Sequence, residues 1–547
     1  NDKLVNDLST ILFNNHITIS NIPLKAYKYI VNGRSAIEWI MDQYQVKKDN
    51  VSGYIDDPNE YNDDEKYIFE LLLKIINYVN YTVQMKNKYI DLIDQTYYFP
   101  QDEFTLDGDE LRFHNIDLME LVRKYGAPLK FMYLPRISEN IQRAKKWFEK
   151  AIKKHKYKGA YNYCYCTKSS HFKHVMVEAL KNDIHMETSS AFDINIINNL
   201  ISEGLITKEN YILCNGFKRD AYIDGIADLI NRGYQNCIPI IDNYEEINLF
   251  EEKIKGSYNI GIRIASEEDP RSEFYTSRLG IGYKNIVPFY NREIKDNPKV
   301  RLKMLHFFIN TGIKDNAYYW NELLKCLRVY IQLKKVAPEL DSLNIGGGFP
   351  IKSSLAFEYD YAYMVDEIIR QIKITCDQEK VPVPNIFTEF GSFTVGEAGG
   401  AIYEIMYQKQ QNDREKWDMI NSSFITTLPD SWAINKRFVL LPINRWNDEY
   451  ERVLLGGLTC DGDDYYNSEQ NMNAIYLPKY NKNKPLYIGF FNTGAYQDSI
   501  GGVGGLQHCL IPQPKIVLID KDKDGNLTSR LFMEQQKADE MLKILGY

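Results

Sequence analysis

Lys168 ends an apolar and aromatic run, Tyr161-Asn-Tyr-Cys-Tyr-Cys-Thr-Lys168, and so sets an amine where a buried strand leaves its sheet. An amine in that position is a candidate to attack a carbonyl and form a covalent imine, and burial is expected to lower its pKa and free it for attack. An ordinary strand-end lysine would instead snorkel to the surface, so the reading depends on its companions. Asn344-Ile-Gly346-Gly347-Gly348-Phe-Pro350 closes a second short apolar run. Three consecutive glycines let backbone N–H groups crowd round a phosphate, although such clusters also serve as tight turns. Ile386-Phe-Thr-Glu389-Phe-Gly391 places a carboxylate at a third strand end, where burial demands a positive partner. Leu458-Thr-Cys460-Asp461-Gly-Asp463-Asp464 then offers a thiol among carboxylates, and Phe490-Phe-Asn-Thr-Gly494-Ala-Tyr496 offers a phenol.

These groups need a frame that brings strand ends together. From Tyr161 onward, short apolar runs alternate with longer amphipathic stretches, the pattern of βα units around a buried parallel sheet. Eight strands are expected, near Tyr161–Cys166, Ile184–Thr188, Tyr211–Cys214, Ile238–Ile241, Asn259–Ala265, Met304–Ile309, Ser342–Ile345 and Ile386–Glu389. Such a set predicts a (β/α)8 TIM-like barrel in the α/β class, whose chemistry gathers at the C-terminal strand ends. Lys168, Gly346 to Gly348 and Glu389 all fall at or just after those ends. Beyond about residue 395, strands separated by turn signals predict an antiparallel C-terminal β domain, as in Arg437–Pro442, Arg452–Leu458, Leu486–Phe491 and Lys515–Asp520. Asp520-Lys-Asp522-Lys-Asp524-Gly525 imitates a calcium loop, but Leu531 stands where a bidentate Glu is required, so a hairpin turn is expected instead. The first 84 residues stand apart as a small helical N-terminal appendage, with helices around Ser35–Tyr44 and Glu65–Tyr78 flanking the acidic turn Asp56-Asp-Pro-Asn-Glu60.

A chain of 547 residues with 44% hydrophobic content can fill two or three domains. Its formal net charge of -8 argues against nucleic acid or an anionic membrane as main partner and suits a cationic ligand. Eight scattered cysteines without repeated C-x-x-C pairs read as reduced thiols. With neither a long apolar span nor a signal-like start, a soluble, cytoplasmic protein is expected.

The order and local wording of these phrases resemble the pyridoxal-phosphate (PLP) decarboxylases of fold type III. Within that group they are most similar to the biosynthetic arginine decarboxylases, through Leu428-Pro-Asp-Ser-Trp432-Ala-Ile434, Leu458-Thr-Cys460-Asp461 and Gly489-Phe-Phe491 leading into Gly494-Ala-Tyr496-Gln497. The resemblance covers roughly residues 85 to 547. It implies decarboxylation of a basic amino acid, L-arginine to agmatine and CO2 for polyamine synthesis, with PLP as cofactor and Mg2+ as a possible addition. Ornithine, diaminopimelate or carboxynorspermidine are alternative substrates, and a catalytically silent PLP-binding regulator is a rival of another class. Racemase chemistry fits poorly, because racemases usually avoid a ring-protonating carboxylate such as Glu389. The resemblance further implies a homodimer or higher homo-oligomer, with residues 85–130 adding strands to the β domain, 131–395 forming the barrel and 396–547 the C-terminal domain.

Residue by residue, Lys168 matches the family's imine-forming lysine, Glu389 the carboxylate that keeps the pyridine nitrogen protonated, and Cys460 the thiol that returns a proton after CO2 leaves. Asp461, with Asp463 beside it, matches an acidic group for the substrate's distal cation; Glu187 matches an acidic residue near the cofactor; Tyr496 joins Gly346, Gly347 and Gly348 at the phosphate. Three departures stand out. Phe308-Ile-Asn-Thr311 replaces the relatives' His-x-Gly-Ser, leaving Phe308 to stack and Thr311 to donate, while His306 two residues earlier reads as a packed core histidine. Ser392 stands where an Arg usually pairs with the phosphate, so another cation, such as Arg278, is expected to compensate. Gly501-Gly-Val-Gly-Gly505 also differs from the arginine decarboxylases.

The leader carries none of these groups. Its Ala26-Tyr-Lys-Tyr and Val31-Asn-Gly-Arg-Ser-Ala-Ile-Glu-Trp39 resemble the C-terminal segment of restriction-system helicases. Deleting residues 1–84 is therefore expected to leave folding and turnover essentially intact. An insoluble or inactive product on expression and assay would make the leader integral.

Overall fold

Eight apolar runs pair edge to edge into a closed ring in the computed structural model, which describes residues 101, 103–267, 275–468 and 474–547. The appendage and its two expected helices lie outside these residues. Three short strands come first, β1 (Phe104–Asp107), β2 (Glu110–Phe113) and β3 (Ile116–Asp117), followed by β4 (Leu129–Tyr133). The ring is built from β5 (Tyr161–Cys166), β6 (His185–Thr188), β7 (Ile212–Cys214), β8 (Cys237–Ile241), β9 (Tyr258–Ala265), β11 (Val300–His306), β12 (Ser342–Asn344) and β13 (Asn385–Glu389). A two-residue strand, β10 (Ile281–Gly282), adds to the edge of β9. All pairings in the ring are parallel, and β8 with β9 closes it.

Alternation along the strands sorts their side chains. Tyr163, Tyr165, Met186, Ile212 and Leu343 face the large core shared with the surrounding helices, whereas Cys164, Leu213, Ile238, Ile240, Met304 and Phe387 form a separate small core, the filled interior of the barrel. Helices such as Pro135–His155, Ala191–Ser202, Ala317–Lys334 and Tyr361–Gln378 bury one stripe against the outer faces.

The remaining strands are β14 (Gly399–Gln410), β15 (Lys416–Ile420), β16 (Val439–Pro442), β17 (Tyr450–Gly456), β18 (Tyr465–Tyr466), β19 (Ile475–Pro478), β20 (Leu486–Phe491), β21 (Lys515–Lys521) and β22 (Leu527–Met533). They form a mixed sheet with β4, which corrects the expectation of a purely antiparallel domain: β4 runs parallel to β21, and β15 parallel to β17. Parallel neighbours require long crossovers, and the one from β4 to β21 contains the whole barrel and β14 to β20. The 520–525 segment is the turn of the β21–β22 hairpin, with Asp522 Oδ1 accepting from the amides of Asp524 and Asn526.

The two layers are stitched where the barrel ends. Gly494 and Thr493 donate backbone hydrogen bonds to Gly396 and Gly399 at 3.0 Å each. A Cβ on Gly399 would lie 2.4 Å from the Gly494 Cα, so a glycine is needed at this crossing. This stitch carries the segment after β20 onto the mouth of the barrel.

Candidate active site

The inward parity of the barrel continues past the small core to the strand ends, and most inward positions there are polar or ionisable. Strand register sets them side by side: His306 is level with Arg263 on one side and with Asn344 on the other, and Cys166 is level with Glu187. Glu187, His306 and Asn344 are fully buried and Arg263 nearly so. Four such groups at one end of a barrel have no hydrophobic rationale, because an unpaired buried charge costs several kcal/mol (on the order of 3–5).

Lys168 lies in a single turn, Thr167–Ser169, directly after β5. The turn is pinned by Ser169 Oγ donating to the Cys166 carbonyl at 2.8 Å and by Tyr165 Oη donating to the Ser170 carbonyl at 2.9 Å. The Lys168 ammonium stands 3.6 Å from Glu187 Oε1, with the lysine side chain 42% exposed and the carboxylate sealed. The expected lowering of the lysine pKa is corrected here: the Glu187 carboxylate holds the ammonium charged and raises it, outweighing the burial that opposes it. Glu187 moves up to about 7, because burial penalises its charge more than Lys168 relieves it. Neither Glu187 oxygen has a hydrogen-bond partner.

Glu389 is the opposite case. Burial pushes its carboxyl up, but the His306 imidazole, Lys168 and the Asn344 amide together hold it at about 2. His306 Nε2 lies 3.1 Å from Glu389 Oε1, and Asn344 Nδ2 donates to the same oxygen at 2.7 Å. Asn215 Nδ2 approaches the other oxygen at 3.4 Å. Burial lowers the His306 pKa, with the Glu389 carboxylate opposing that shift. His306, read from sequence as core packing, is buried and is also a direct partner of Glu389.

Gly346, Gly347 and Gly348 follow β12 and press against two neighbouring strand ends. Gly346 has φ +68° and its carbonyl accepts from the Glu389 amide at 2.8 Å; a Cβ on Gly347 would sit 2.0 Å from the Glu389 carbonyl oxygen. Gly348 has φ +106°, and a Cβ there would sit 2.6 Å from the Gly312 Cα. Thr311, one residue before Gly312, buries its Oγ1 with no partner. Phe308 is half-buried, with the Arg263 guanidinium 5.9 Å over its ring. Tyr496 arrives through the stitch: its amide donates to the Ser169 carbonyl at 2.8 Å, beside Lys168, in a left-handed conformation at φ +69°. Its hydroxyl bonds to Ser392, and burial raises it to about 12.

Cys460, Asp461 and Asp463 are not brought to these groups within the chain. Cys460 is exposed with its Sγ 3.9 Å from Cys509 Sγ, Asp461 Oδ2 lies 3.2 Å from His508 Nε2, and Asp461 Oδ1 accepts from the Asp463 amide at 3.0 Å. Asp464 is structural, since Oδ1 accepts from Ser423 Oγ and the Phe424 amide while Oδ2 takes the Thr459 amide and hydroxyl. Arg278, expected to replace the missing arginine at Ser392, is exposed, and the buried guanidinium of the site is Arg263. Asn215, Arg263, His306 and Asn344 were not read as site residues, although each shares the inward parity of Glu187 and Glu389 in its own strand or just beyond it. Among the described residues no group of three or more His, Cys, Asp or Glu is placed to hold a metal ion.

Residues 137–396, which span the barrel, match the pyridoxal binding domain of the pyridoxal-dependent decarboxylases. Residues 2–71 match a type ISP C-terminal specificity domain, in agreement with the restriction-system resemblance of the leader. More particularly, the chain is similar to the biosynthetic arginine decarboxylase of Prochlorococcus marinus (strain AS9601), 23% identical over 79% of this chain and 85% of the relative. In structure it is similar to the arginine decarboxylase of Campylobacter jejuni, with a TM-score of 0.69, 18% identity and coverage of 83% and 90% of the two chains. It is also similar to the diaminopimelate decarboxylase of M. jannaschii in complex with L-lysine, with a TM-score of 0.67, 18% identity and coverage of 81% and 97%.

The residues fit pyridoxal phosphate. Thr311 Oγ1 and Arg263 Nε are donors buried without partners, and both Glu187 oxygens are acceptors in the same state. Orphaned polar atoms of both kinds, beside a glycine bend and a lysine, suit a ligand with an anionic and a ring portion.

Glu187 generates a pH prediction. Its native pKa of about 7 lies above the ordinary carboxylate value of 4.5, so its contribution to stability is fully present below about pH 4.5 and is lost as pH rises through about 7. In cofactor-free protein, urea titration should show wild type losing up to about 3 kcal/mol between those limits relative to Glu187→Gln, with a constant difference above them. A difference that does not vary with pH would mean Glu187 titrates normally.

Proposed function

We propose that this chain is a pyridoxal-phosphate-dependent carboxy-lyase that converts L-arginine to agmatine and CO2, in the cytoplasm, on the route to polyamines. The observation that carries the chemistry is the set Lys168, Glu187 and Glu389, in which one buried carboxylate takes the partly exposed lysine ammonium as partner and the other is kept fully ionised by His306 and Asn344. The arginine substrate is supported by the sequence relatives named above and by the acidic pair Asp461 and Asp463. Mg2+ has no place in this reading.

Gly346, Gly347, Gly348, Thr311 and Tyr496 are assigned to the phosphate, and Phe308 to one face of the ring. Bound there, pyridoxal phosphate supplies the sink for the electron pair released as CO2 leaves. Lys168 must give up a proton before its amine can attack, and Glu187, 3.6 Å away with a pKa of about 7, is placed to take it. Glu389, ionised at any working pH, holds a proton on the pyridine nitrogen, and His306 and Asn344 fix the oxygen that does so. Phe308 stacks without offering a polar contact. The boundaries that accompany this reading are 131–395 for the catalytic barrel and 396–547, with the segment before the barrel, for the β domain.

Because Cys460 and Asp461 lie exposed, we assign them to the active site of a second copy, so that a homodimer is the smallest working unit. There Cys460 returns a proton to the substrate carbon and Asp461, helped by Asp463, meets the distal guanidinium.

Lys168→Ala should lose the visible absorbance of bound cofactor, with turnover falling by at least about 10²-fold; retention of both would move the site elsewhere. Glu389→Gln should still bind cofactor but lose most turnover. Separate incubations with arginine, ornithine, lysine and diaminopimelate, each with product identification, test the substrate, and any amine other than agmatine as the main product would replace arginine.

Mixing inactive Lys168→Ala with inactive Cys460→Ala chains should restore about one quarter of wild-type activity, since random pairing makes half heterodimers with one intact site of two. No recovery after verified subunit exchange would place both residues in one chain's site.

A further inference from the structure

The two exposed thiols of the chain's eight cysteines stand together. Cys460 Sγ and Cys509 Sγ are 3.9 Å apart, although 49 residues separate them in sequence. The other six cysteines are buried, including Cys214 and Cys237, whose sulfurs approach to 3.8 Å inside the barrel wall. Separation alone therefore does not distinguish the Cys460–Cys509 pair. Access does, because only a thiol that solutes can reach is readily oxidised.

The two loops are held in register by an adjacent contact, Asp461 Oδ2 with His508 Nε2 at 3.2 Å, so residues 460 and 461 face 509 and 508 in turn. The first loop is firm, because Asp464 receives the Thr459 amide at 3.1 Å and the Thr459 hydroxyl at 2.7 Å, fixing the residue just before Cys460. The second is held at its glycines: the Gly504 amide donates to Gln513 Oε1 at 2.7 Å, and the carbonyls of Gly502 and Gly505 accept from Gln507 Nε2 and Gln536 Nε2 at 3.1 and 2.9 Å. It follows Gly501-Gly-Val-Gly-Gly505, in which Gly502 and Gly504 take φ of +81° and +74°, and a Cβ on Gly502, Gly504 or Gly505 would meet nothing within 4 Å. Cys509 and Leu510 are themselves left-handed, at φ +53° and +52°, a conformation that costs non-glycine residues free energy and persists only where surroundings impose it. A disulfide needs sulfurs about 2.05 Å apart, so side-chain rotation, with any movement taken up by the Cys509 loop, must bring the two sulfurs about 2 Å closer.

We propose that Cys460 and Cys509 are a modification site, oxidised to a reversible intrachain disulfide by oxidants of the peroxide class. One sulfur attacks a peroxide oxygen, the O–O bond breaks and a first water leaves; the second sulfur displaces the hydroxyl as a second water. Both sulfurs are oxidised, one peroxide is reduced, and the two thiol protons leave in the waters. A dithiol reverses the change by exchange. The consequence for turnover rests on the reading of Cys460 as the proton-returning thiol: in the disulfide it has no proton to return.

The test uses the dimeric holoenzyme treated with hydrogen peroxide and digested without reductant. Mass spectrometry should find the Cys460 and Cys509 peptides joined and two hydrogens lighter than their sum, and a non-reducing gel should show no chain-to-chain link. Turnover should fall by at least about tenfold as the bond forms and return with dithiothreitol. Cys509→Ser and Cys509→Ala should keep basal turnover, form no link, and carry Cys460 on to the sulfinic acid, which dithiothreitol does not reverse. Sulfinic Cys460 without a joined peptide in wild type, or a link between two chains, would overturn the proposal. A joined peptide with unchanged turnover would leave the disulfide standing and remove Cys460 from the proton-returning role.

Discussion

A cluster of ionisable groups sealed at the mouth of a parallel barrel is the constraint from which the rest of the architecture follows. Glu187 and Glu389 cannot both be cheaply ionised in a low-dielectric interior, and the chain resolves the conflict unequally. Glu389 is given two hydrogen-bond donors on one oxygen and settles at about 2, while Glu187 has no hydrogen bond and depends on Lys168, at about 7. Two carboxylates with separated proton affinities are what a site needs if one is to hold a charge and the other is to exchange a proton.

That separation is delivered by strand register more than by any one side chain. Arg263, His306 and Asn344 sit level on three adjacent strands, and Glu389 lies two residues beyond Phe387, the residue level with Asn344. A one-residue slip of any strand would turn its polar end group outward into the helical layer. The large outer core, which includes Tyr163, Tyr165, Ile262, Leu305 and Leu343, therefore protects the chemistry by fixing register. The glycines at 346 to 348 extend this, since only residues without a Cβ allow the β12 end to press against Glu389 and Gly312 at these distances.

What could be read from sequence follows the same physics. All eight barrel strands were legible because each is a short apolar run bounded by turn residues, and Lys168, Glu389 and the glycines stood out as chemistry at the ends of such runs. His306, Arg263, Asn215 and Asn344 were not, because a polar residue in or beside an apolar strand looks the same whether it lines a site or packs in a core; only the ring of neighbours created by closure distinguishes them. Long β14 and the parallel pairing of β4 with β21 were missed for a related reason. Their partners come from distant parts of the chain, and local periodicity carries no record of which edge a strand will join. The expected fall in the lysine pKa failed because desolvation can be read from a buried strand, whereas the opposing Glu187 charge comes from the next strand's register.

The exposed Cys460 loop closes the account of how two layers make one site. Asp464 anchors it, accepting from Ser423 and Phe424 at Oδ1 and from Thr459 twice at Oδ2, so four hydrogen bonds to a buried carboxylate hold it away from its own barrel. Tyr496 has the opposite arrangement: it is carried directly to Lys168 by backbone bonds at the end of β20. One β domain thus commits one polar segment inward to its own barrel and leaves another facing out. Leu458, Tyr465 and Leu510 beside this segment are exposed apolar surface that a second copy would cover, whereas Asp461 and Asp463 would need a cation there to offset the cost of burying their charge.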